Sequence, residues 1–387
     1  MSKSLIKNIV NHYKSRFKDN PVLVKSPGRI NLIGEHTDYN EGYVLPAAID
    51  KSIVAAIGKS GNNVCLIFAL DNNESYEFKL KNIQPVENGG WRNYVIGVVA
   101  EIQKKGLKLE PFNVVFGGDI PQGAGLSSSA ALENSIVFGL NELFDLNMTK
   151  FEMIHVSQKA EHNYAGVKCG IMDQYATMFG IKDSALFLDC KTLEATPINI
   201  DFKDYQLVLI NTNVKHILVD AAYNERREAC EKVARLLNLN SLREANESDL
   251  ISIKDIIPES DYQKALYVIQ ENVRVLKAIK CMEDKNINAL GNLLFETHHG
   301  LQHQFRVSCK ELDFLVDEAK LNSVVLGARM VGGGFGGCTI NIVKTDDVKA
   351  FTKYISNAYK HKFGADCSVY FVELSQGTHL LANSFNC

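Results

Sequence analysis

The sequence predicts an α+β protein built as two lobes, and three observations lead to it. At 387 residues the chain exceeds what one hydrophobic core of roughly 150 residues organises comfortably. Its first half alternates turn residues with short runs of β-branched and aromatic side chains, the pattern of paired strands. Past residue 195 the apolar spacing becomes mostly helical, and the chain then closes on a β-α-β unit. Lobes over 1–195 and 196–387 are therefore expected, with no repeat or low-complexity linker to mark the division.

Along 4–17, Leu5, Ile6, Ile9, Val10, Tyr13 and Phe17 share one helical face, so the chain opens with an amphipathic helix. Strand-like runs follow at 22–25, 53–57, 64–69 and 76–80, with Gly61-Asn62-Asn63 and Asp71-Asn72-Asn73 as turns between the later ones. A strand at 113–116 runs into a glycine- and serine-rich loop. From that loop a helix departs over 130–144, with Ile136, Val137, Leu140 and Phe144 inward, and a second covers 151–164. Beyond the glycines around Gly170, strands at 185–188 and 206–210 lead to a charged helix over 220–237 with Asp220 as its N-cap. Helices at 261–282 and 287–301 precede the closing strand 339–343, helix 347–359 and strand 368–372.

The hydrophobic share of 46% and charged share of 22% are those of a globular protein and exclude disorder and fibres. A formal net charge of -3 supplies no global basic field, so neither nucleic acid nor an anionic membrane is expected as a partner. No apolar run approaches the ~20 residues that span a bilayer, and the first residues lack the apolar core of a signal peptide. A cytoplasmic location is expected. Nine cysteines, odd in number and without a Cys-x-x-Cys pair, fit reduced thiols rather than a disulfide framework or zinc site.

The string Gly28-Arg29-Ile30-Asn31-Leu32-Ile33-Gly34-Glu35-His36-Thr37-Asp38-Tyr39 sets Arg29, Asn31, Glu35, His36 and Asp38 among residues built for burial. Buried polar groups need partners, so the conflict marks a binding site or a loop whose charges pair with one another. Carboxylates, an imidazole and an amide at this spacing suit neighbouring hydroxyl groups, as on a polyol or sugar. Arg29 beside them suits a place where negative charge sits or develops.

The segment Pro121-Gln122-Gly123-Ala124-Gly125-Leu126-Ser127-Ser128-Ser129-Ala130-Ala131 follows a strand and precedes a helix. Its glycines let backbone approach a ligand, and the helix start contributes open N–H groups and a positive dipole end, an anion cradle. The serines add hydroxyls for phosphate oxygens or a metal; a serine cap on a surface turn is the plainer alternative. Gly58-Lys59-Ser60 resembles the end of a P-loop, but Ile53 stands where its first glycine belongs. Gly332-Gly333-Gly334-Phe335-Gly336-Gly337 satisfies Gly-x-Gly-x-x-Gly, yet a strand follows it instead of a helix. That loop is expected to pack against a ligand or against the first glycine loop.

Asp173 stands with Ile171, Met172 and Tyr175 in a glycine-flanked apolar turn, where burial raises a carboxyl pKa unless a cation such as Arg29 is near. It reads as a catalytic base or as a surface cap. Glu161, on the helix before it, reads as a metal carboxylate or as a solvated side chain. His299 and His303 have zinc-ligand spacing, but Gly300 replaces the glutamate of His-Glu-x-x-His, so a structural role is expected. Tyr223, before Asn224-Glu225-Arg226-Arg227, either lies over a ligand or packs on the core.

Together, residues 28–39, 123–131 and 332–337 resemble the galactokinase family, of the superfamily that includes homoserine, mevalonate and phosphomevalonate kinases. The likeness continues through Trp91-x-Asn93-Tyr94-Val95, Cys169-Gly170-Ile171-Met172-Asp173-Gln174 and Asn211-Thr212-Asn213-Val214-Lys215-His216. Tyr223-Asn224-x-Arg226-Arg227 and Val307-Ser308-Cys309-x-Glu311-Leu312-Asp313 carry it over nearly the whole chain. The resemblance implies Mg2+-dependent transfer of the ATP γ-phosphate to the C1 hydroxyl of galactose. It implies an N-terminal lobe like ribosomal S5 domain 2, a ferredoxin-like C-terminal lobe, and an active site between them.

By the same likeness Glu35, His36, Thr37, Asp38 and Tyr223 form the sugar set, Asp173 is the proton acceptor and Arg29 stabilises the transition state. Gly123, Ala124, Gly125, Leu126, Ser127, Ser128 and Ser129 match the nucleotide phosphate loop, with Ser129 and Glu161 as magnesium ligands. Galactose and ATP are the expected partners of a monomer. A kinase for N-acetylgalactosamine or arabinose, and a non-catalytic galactose and ATP sensor on the same fold, stay open. Phe305 stands where the family often has tyrosine, while Gln122 and Ile30 are mild variants.

Overall fold

The structure, a computed structural model, describes residues 3–17, 19–214 and 219–382. The strand expected at 22–25 continues as Val22–Asn31, so Arg29 and Asn31 leave from a sheet rather than a loop. It pairs antiparallel with Pro46–Lys59, with a register shift between Pro27 and Arg29. Proline has no N–H for the ladder, so the irregularity falls where the sequence requires it. Phe112–Gly118, Cys65–Ala69 and Glu74–Phe78 extend this sheet on one side and His379–Leu380 on the other, giving six strands. Only the pairing of Cys65–Ala69 with Phe112–Gly118 is parallel.

Helices Trp91–Lys104, Ser128–Leu143 and Lys150–Ala160 pack on one another, and Ser128–Leu143 lies against the two long strands. The first was not expected, because Val95, Ile96, Val98, Val99 and Ile102 are all buried and leave no clear polar face to reveal the helical period. The helix expected over 151–164 ends at Ala160 and passes into a π turn, Glu161–Ala165, a form frequent at functional sites. The apolar turn expected around Asp173 is instead the helix Met172–Phe179, with Asp173 in its first turn. Asn134 fastens that helix, its Nδ2 donating to the Gln174 carbonyl at 2.9 Å and to Thr177 Oγ1 at 2.6 Å.

A second sheet orders Val325–Met330, Cys338–Lys344, Tyr205–Asn211 and Ser368–Phe371, all antiparallel. In chain order this is strand, helices, two strands, the helix Val348–Phe363 and a last strand, the split β-α-β arrangement of ferredoxin-like folds. The strand Val325–Met330 and the helix Lys310–Lys320 before it were not expected; Gly327 and the fully buried Arg329 interrupt the strand's apolar run. Asp220 falls inside the helix Val219–Leu236, and its side chain, like Lys215 and His216, lies outside the described residues.

Between the sheets, Ser184–Asp189 pairs with both Tyr43–Val44 and Ala195–Asn199. The second sheet is entered at Tyr205, and His379–Leu380 returns the chain to the first sheet. One apolar cluster joins Ile30, Leu32 and Ile33 to Leu207, Leu209 and Ile340 of the second sheet. The polar string is thus anchored in a core common to both halves. Among the described residues no helix is long and apolar enough to cross a membrane, and all eight cysteines are free.

Candidate active site

Leu32 and Ile33 enter the core, and the chain then turns at Gly34, whose N–H donates to Glu271 Oε1 at 2.8 Å. Thr37 stands apart from the other residues of the expected sugar set. It is fully buried, its hydroxyl lies 2.8 Å from the Gly34 carbonyl and 2.6 Å from that of Tyr43, and it does not border the cavity. It fastens the turn that presents its neighbours.

Glu35 meets Arg329, a residue the sequence reading missed. Arg329 Nη1 lies 2.7 Å from Glu35 Oε2, and the same guanidinium donates to the carbonyls of Leu32, Met330 and Asn31. The Gly332 N–H donates to Glu35 Oε1 at 3.1 Å, which ties the glycine loop to the polar string. Burial pushes the Glu35 carboxyl up against the pull of Arg329 and then Arg29.

His36 adopts a positive φ of 62°, uncommon for a residue with a side chain and an outlier of the kind that gathers at ligand sites. Its Nδ1 lies 2.8 Å from the Tyr39 hydroxyl, while its buried Nε2 has no hydrogen-bond partner in the protein. Burial, then the charge of Arg226, depresses its pKa to about 3, so the imidazole is neutral near pH 7. Tyr223 and Phe305 pack against it with ring centroids 5.4 and 5.0 Å away. Phe305 supplies a ring there and no hydroxyl.

Asp38 lies against Gly170, where an added Cβ would stand 2.0 Å from its Oδ2, so only glycine admits the carboxyl. Its pKa is raised to about 7, by burial first and then by the charge of Asp173.

The glycine and serine loop crosses in front of Val22–Asn31, with the Arg29 N–H donating to the Leu126 carbonyl at 3.2 Å. Ser127 occupies the N-cap of Ser128–Leu143 with φ 56°, but its hydroxyl makes no cap bond and reaches Asp173 Oδ2 at 2.5 Å instead. The first N–H groups of the helix are thus left without a side-chain cap, as an anion site requires. The second glycine loop packs on the first, as one expected alternative had it: a Cβ on Gly332 would lie 2.8 Å from the Gly125 carbonyl oxygen.

Arg29 joins these parts. Its Nε and Nη2 bind the two oxygens of Asp173, each at 2.8 Å, and Nη1 donates to the Gly125 carbonyl at 2.6 Å. Asp173 remains partly open, its side chain 24% exposed. Glu161 is buried, its carboxyl raised to about 7 by burial and then by the charge of Asp173.

One cavity of about 340 Å³ gathers Arg29, Glu35, His36, Asp38, Glu161, Asp173, Tyr223, the loop from Gly123 to Ser129, and Gly332 and Gly333. The His299 and His303 rings lie outside this cavity, tilted with centroids 4.5 Å apart, and no group of three or more His, Cys, Asp or Glu side chains able to hold a metal occurs among the described residues.

The galactokinase galactose-binding signature matches residues 11–59, the GHMP kinases N terminal domain 93–181 and the GHMP kinases C terminal region 276–361. A galactokinase of Thermosipho africanus is 40% identical over 354 residues, which are 92% of this chain and 98% of that one. The chain belongs to the galactokinase family. A Clostridium acetobutylicum galactokinase is 40% identical over 360 residues, 91% of this chain and 92% of its own. The structure of Lactococcus lactis galactokinase complexed with galactose matches with a TM-score of 0.93 at 34% identity, over 97% of this chain and 100% of that one. A mevalonate kinase at 18% identity and TM-score 0.66 shares the fold. As a member of the galactokinase family, the chain is an ATP-dependent sugar kinase.

Within this galactokinase fold, the residues missed by the sequence reading stand behind the site. Tyr267 donates to the Glu35 carbonyl at 2.9 Å, and Glu271 accepts from Gly34 and from Arg274. For Arg329 the available signal was a charge set inside an apolar strand.

Proposed function

We propose that the cavity transfers the γ-phosphoryl group of ATP to the C1 hydroxyl of galactose, with Mg2+ accompanying the nucleotide. The observation that carries this reading is the placement of Arg29, whose single guanidinium holds both Asp173 oxygens and the carbonyl of Gly125 in the phosphate loop. Proton acceptor and phosphate loop thereby share one cation. Glu35, His36 and Asp38 take the sugar hydroxyls, with His36 Nε2 left without a side-chain partner, and the Tyr223 ring lies against the sugar's apolar face. The uncapped helix start and loop N–H groups take the phosphates. We place the base in an adjoining cavity of about 130 Å³ lined by Trp91, Tyr94 and Phe116, which shares Tyr94, Ser128 and Ser129 with the main one.

Asp173 accepts or orients the C1 hydroxyl proton as that oxygen attacks, and Arg29 stabilises charge spread over the transferring group. Ser129 and Glu161 fit a divalent cation: they are adjacent hard oxygen donors bordering the cavity, and a cation there would bring the raised Glu161 carboxyl back down. Ser129 and Glu161 would hold Mg2+, which would supply positive charge against the negative charge of the nucleotide phosphates.

The Asp38 carboxyl gives this reading a pH signature. Asp38 and Glu161 keep protons in the folded protein that an unfolded chain releases near pH ~4, so their contribution to stability falls as pH rises from there to about 7. Sugar hydroxyls donate to ionised Asp38. Galactose affinity, measured calorimetrically without nucleotide, is expected to rise by up to about tenfold from pH 6 to pH 8, and to stay flat in Asp38→Asn.

A panel of galactose, N-acetylgalactosamine, arabinose and glucose, each with ATP and Mg2+, tests the substrate. Galactose is expected to give the highest kcat/KM. No turnover of galactose beside brisk turnover of another sugar overturns the assignment, and binding of galactose and ATP without turnover of any sugar marks a sensor.

A further inference from the structure

The Glu161 carboxylate is held from behind. Its Oε2 accepts from Gln174 Nε2 at 2.8 Å, with the Cys169 thiol 3.6 Å from the same oxygen. The Gln174 amide nitrogen also lies 3.3 Å from Glu133 Oε2. Gln174 and Glu133 are fully buried and neither borders the cavity, whereas Glu161 and Ser129 both do. Glu133 follows Ser129 by one helical turn in Ser128–Leu143, on the same face, and Gln174 follows Asp173 in Met172–Phe179.

A primary amide carries its two N–H groups in one plane. Making both bonds fixes that plane, and with it the Glu161 oxygen that is occupied and the one left for the cavity. The donor is also neutral. A lysine or arginine would orient the carboxylate equally well but would cancel the charge that attracts a divalent cation; the amide orients it and leaves the charge in place.

Taking Ser129 and Glu161 as the metal oxygens, we infer that Gln174 is a positioning residue for Glu161, and that Glu133 is the acceptor that holds its amide. The pair sets how Glu161 meets the metal, and the adjacency of Asp173 and Gln174 places proton acceptor and metal carboxylate from one helical turn.

Mn2+ binding in the presence of a non-hydrolysable ATP analogue, followed by electron paramagnetic resonance on the full chain, tests this without turnover. Gln174→Leu is expected to weaken Mn2+ binding by about tenfold while galactose affinity stays unchanged. Glu133→Gln, which keeps an acceptor, stays within about twofold of the unsubstituted protein, and Glu133→Leu loses about threefold or more. Glu161→Gln is the control on the metal assignment and is expected to lose at least about tenfold. Undiminished Mn2+ affinity in Gln174→Leu, beside a loss in Glu161→Gln, overturns the role of Gln174 alone. Undiminished affinity in Glu161→Gln overturns the metal assignment and the role of Gln174 with it. Should Gln174→Leu fail to fold, the two Glu133 variants decide: equal affinities overturn the positioning role, and a weaker leucine variant supports it.

Discussion

Asp173→Asn is expected to lower kcat by roughly 10² to 10⁴, the span of general base catalysis, while galactose binding changes little. Asparagine keeps the shape of the side chain and one oxygen for the Arg29 fork or the Ser127 hydroxyl, so the loop and strand stay in register. What it loses is the capacity to take the C1 proton. Arg29 is then left buried with the Gly125 carbonyl and one amide oxygen, and a drop in thermal stability accompanies the loss of rate. Single-turnover kinetics beside galactose calorimetry separates the effects. A kcat near that of the unsubstituted protein would remove Asp173 from proton transfer.

Arg29→Met is expected to cost more, on the order of 10³ to 10⁵ in kcat, the scale on which an arginine stabilises phosphoryl transfer. Methionine fills much of the volume on the buried strand but offers no donor to the γ-phosphoryl group or to Asp173. Because Asp173 is partly exposed and keeps the Ser127 hydroxyl, the freed carboxylate is hydrated and the fold survives. Arg29→Lys is expected to restore little: a lysine ammonium is a point charge and cannot reproduce a planar fork that spans both Asp173 oxygens and the Gly125 carbonyl. Rescue of kcat by lysine would show that only charge matters at this position.

The parts of the site legible in the sequence are those where local chemistry and burial conflict. Arg29, Glu35, His36 and Asp38 stood out because polar groups shared a segment with Leu32 and Ile33, and the loop from Gly123 to Ser129 because glycine and serine separate a strand from a helix. The helix of Asp173 was hidden, since Gly166 and Gly170 precede it and Asn134, forty residues away, fastens it. Trp91–Lys104 was hidden for another reason: its burial on several faces erased the helical period. Arg329 was legible only as a charge in an apolar strand and Glu271, between Gln270 and Asn272, not at all, because their partners Glu35 and Gly34 lie more than two hundred positions away. For Thr37, a place inside the polar string says nothing about which way its hydroxyl turns, which is toward the Gly34 and Tyr43 carbonyls.

The central claim, that one cavity transfers phosphate to the anomeric oxygen of galactose, is tested most directly by the nature of the product. Phosphorus and proton NMR of a reaction with galactose, ATP and Mg2+ should show one new phosphoryl signal coupled to the anomeric proton, appearing in step with ADP. Phosphate on another galactose hydroxyl, or ADP formed without any sugar phosphate, would contradict it.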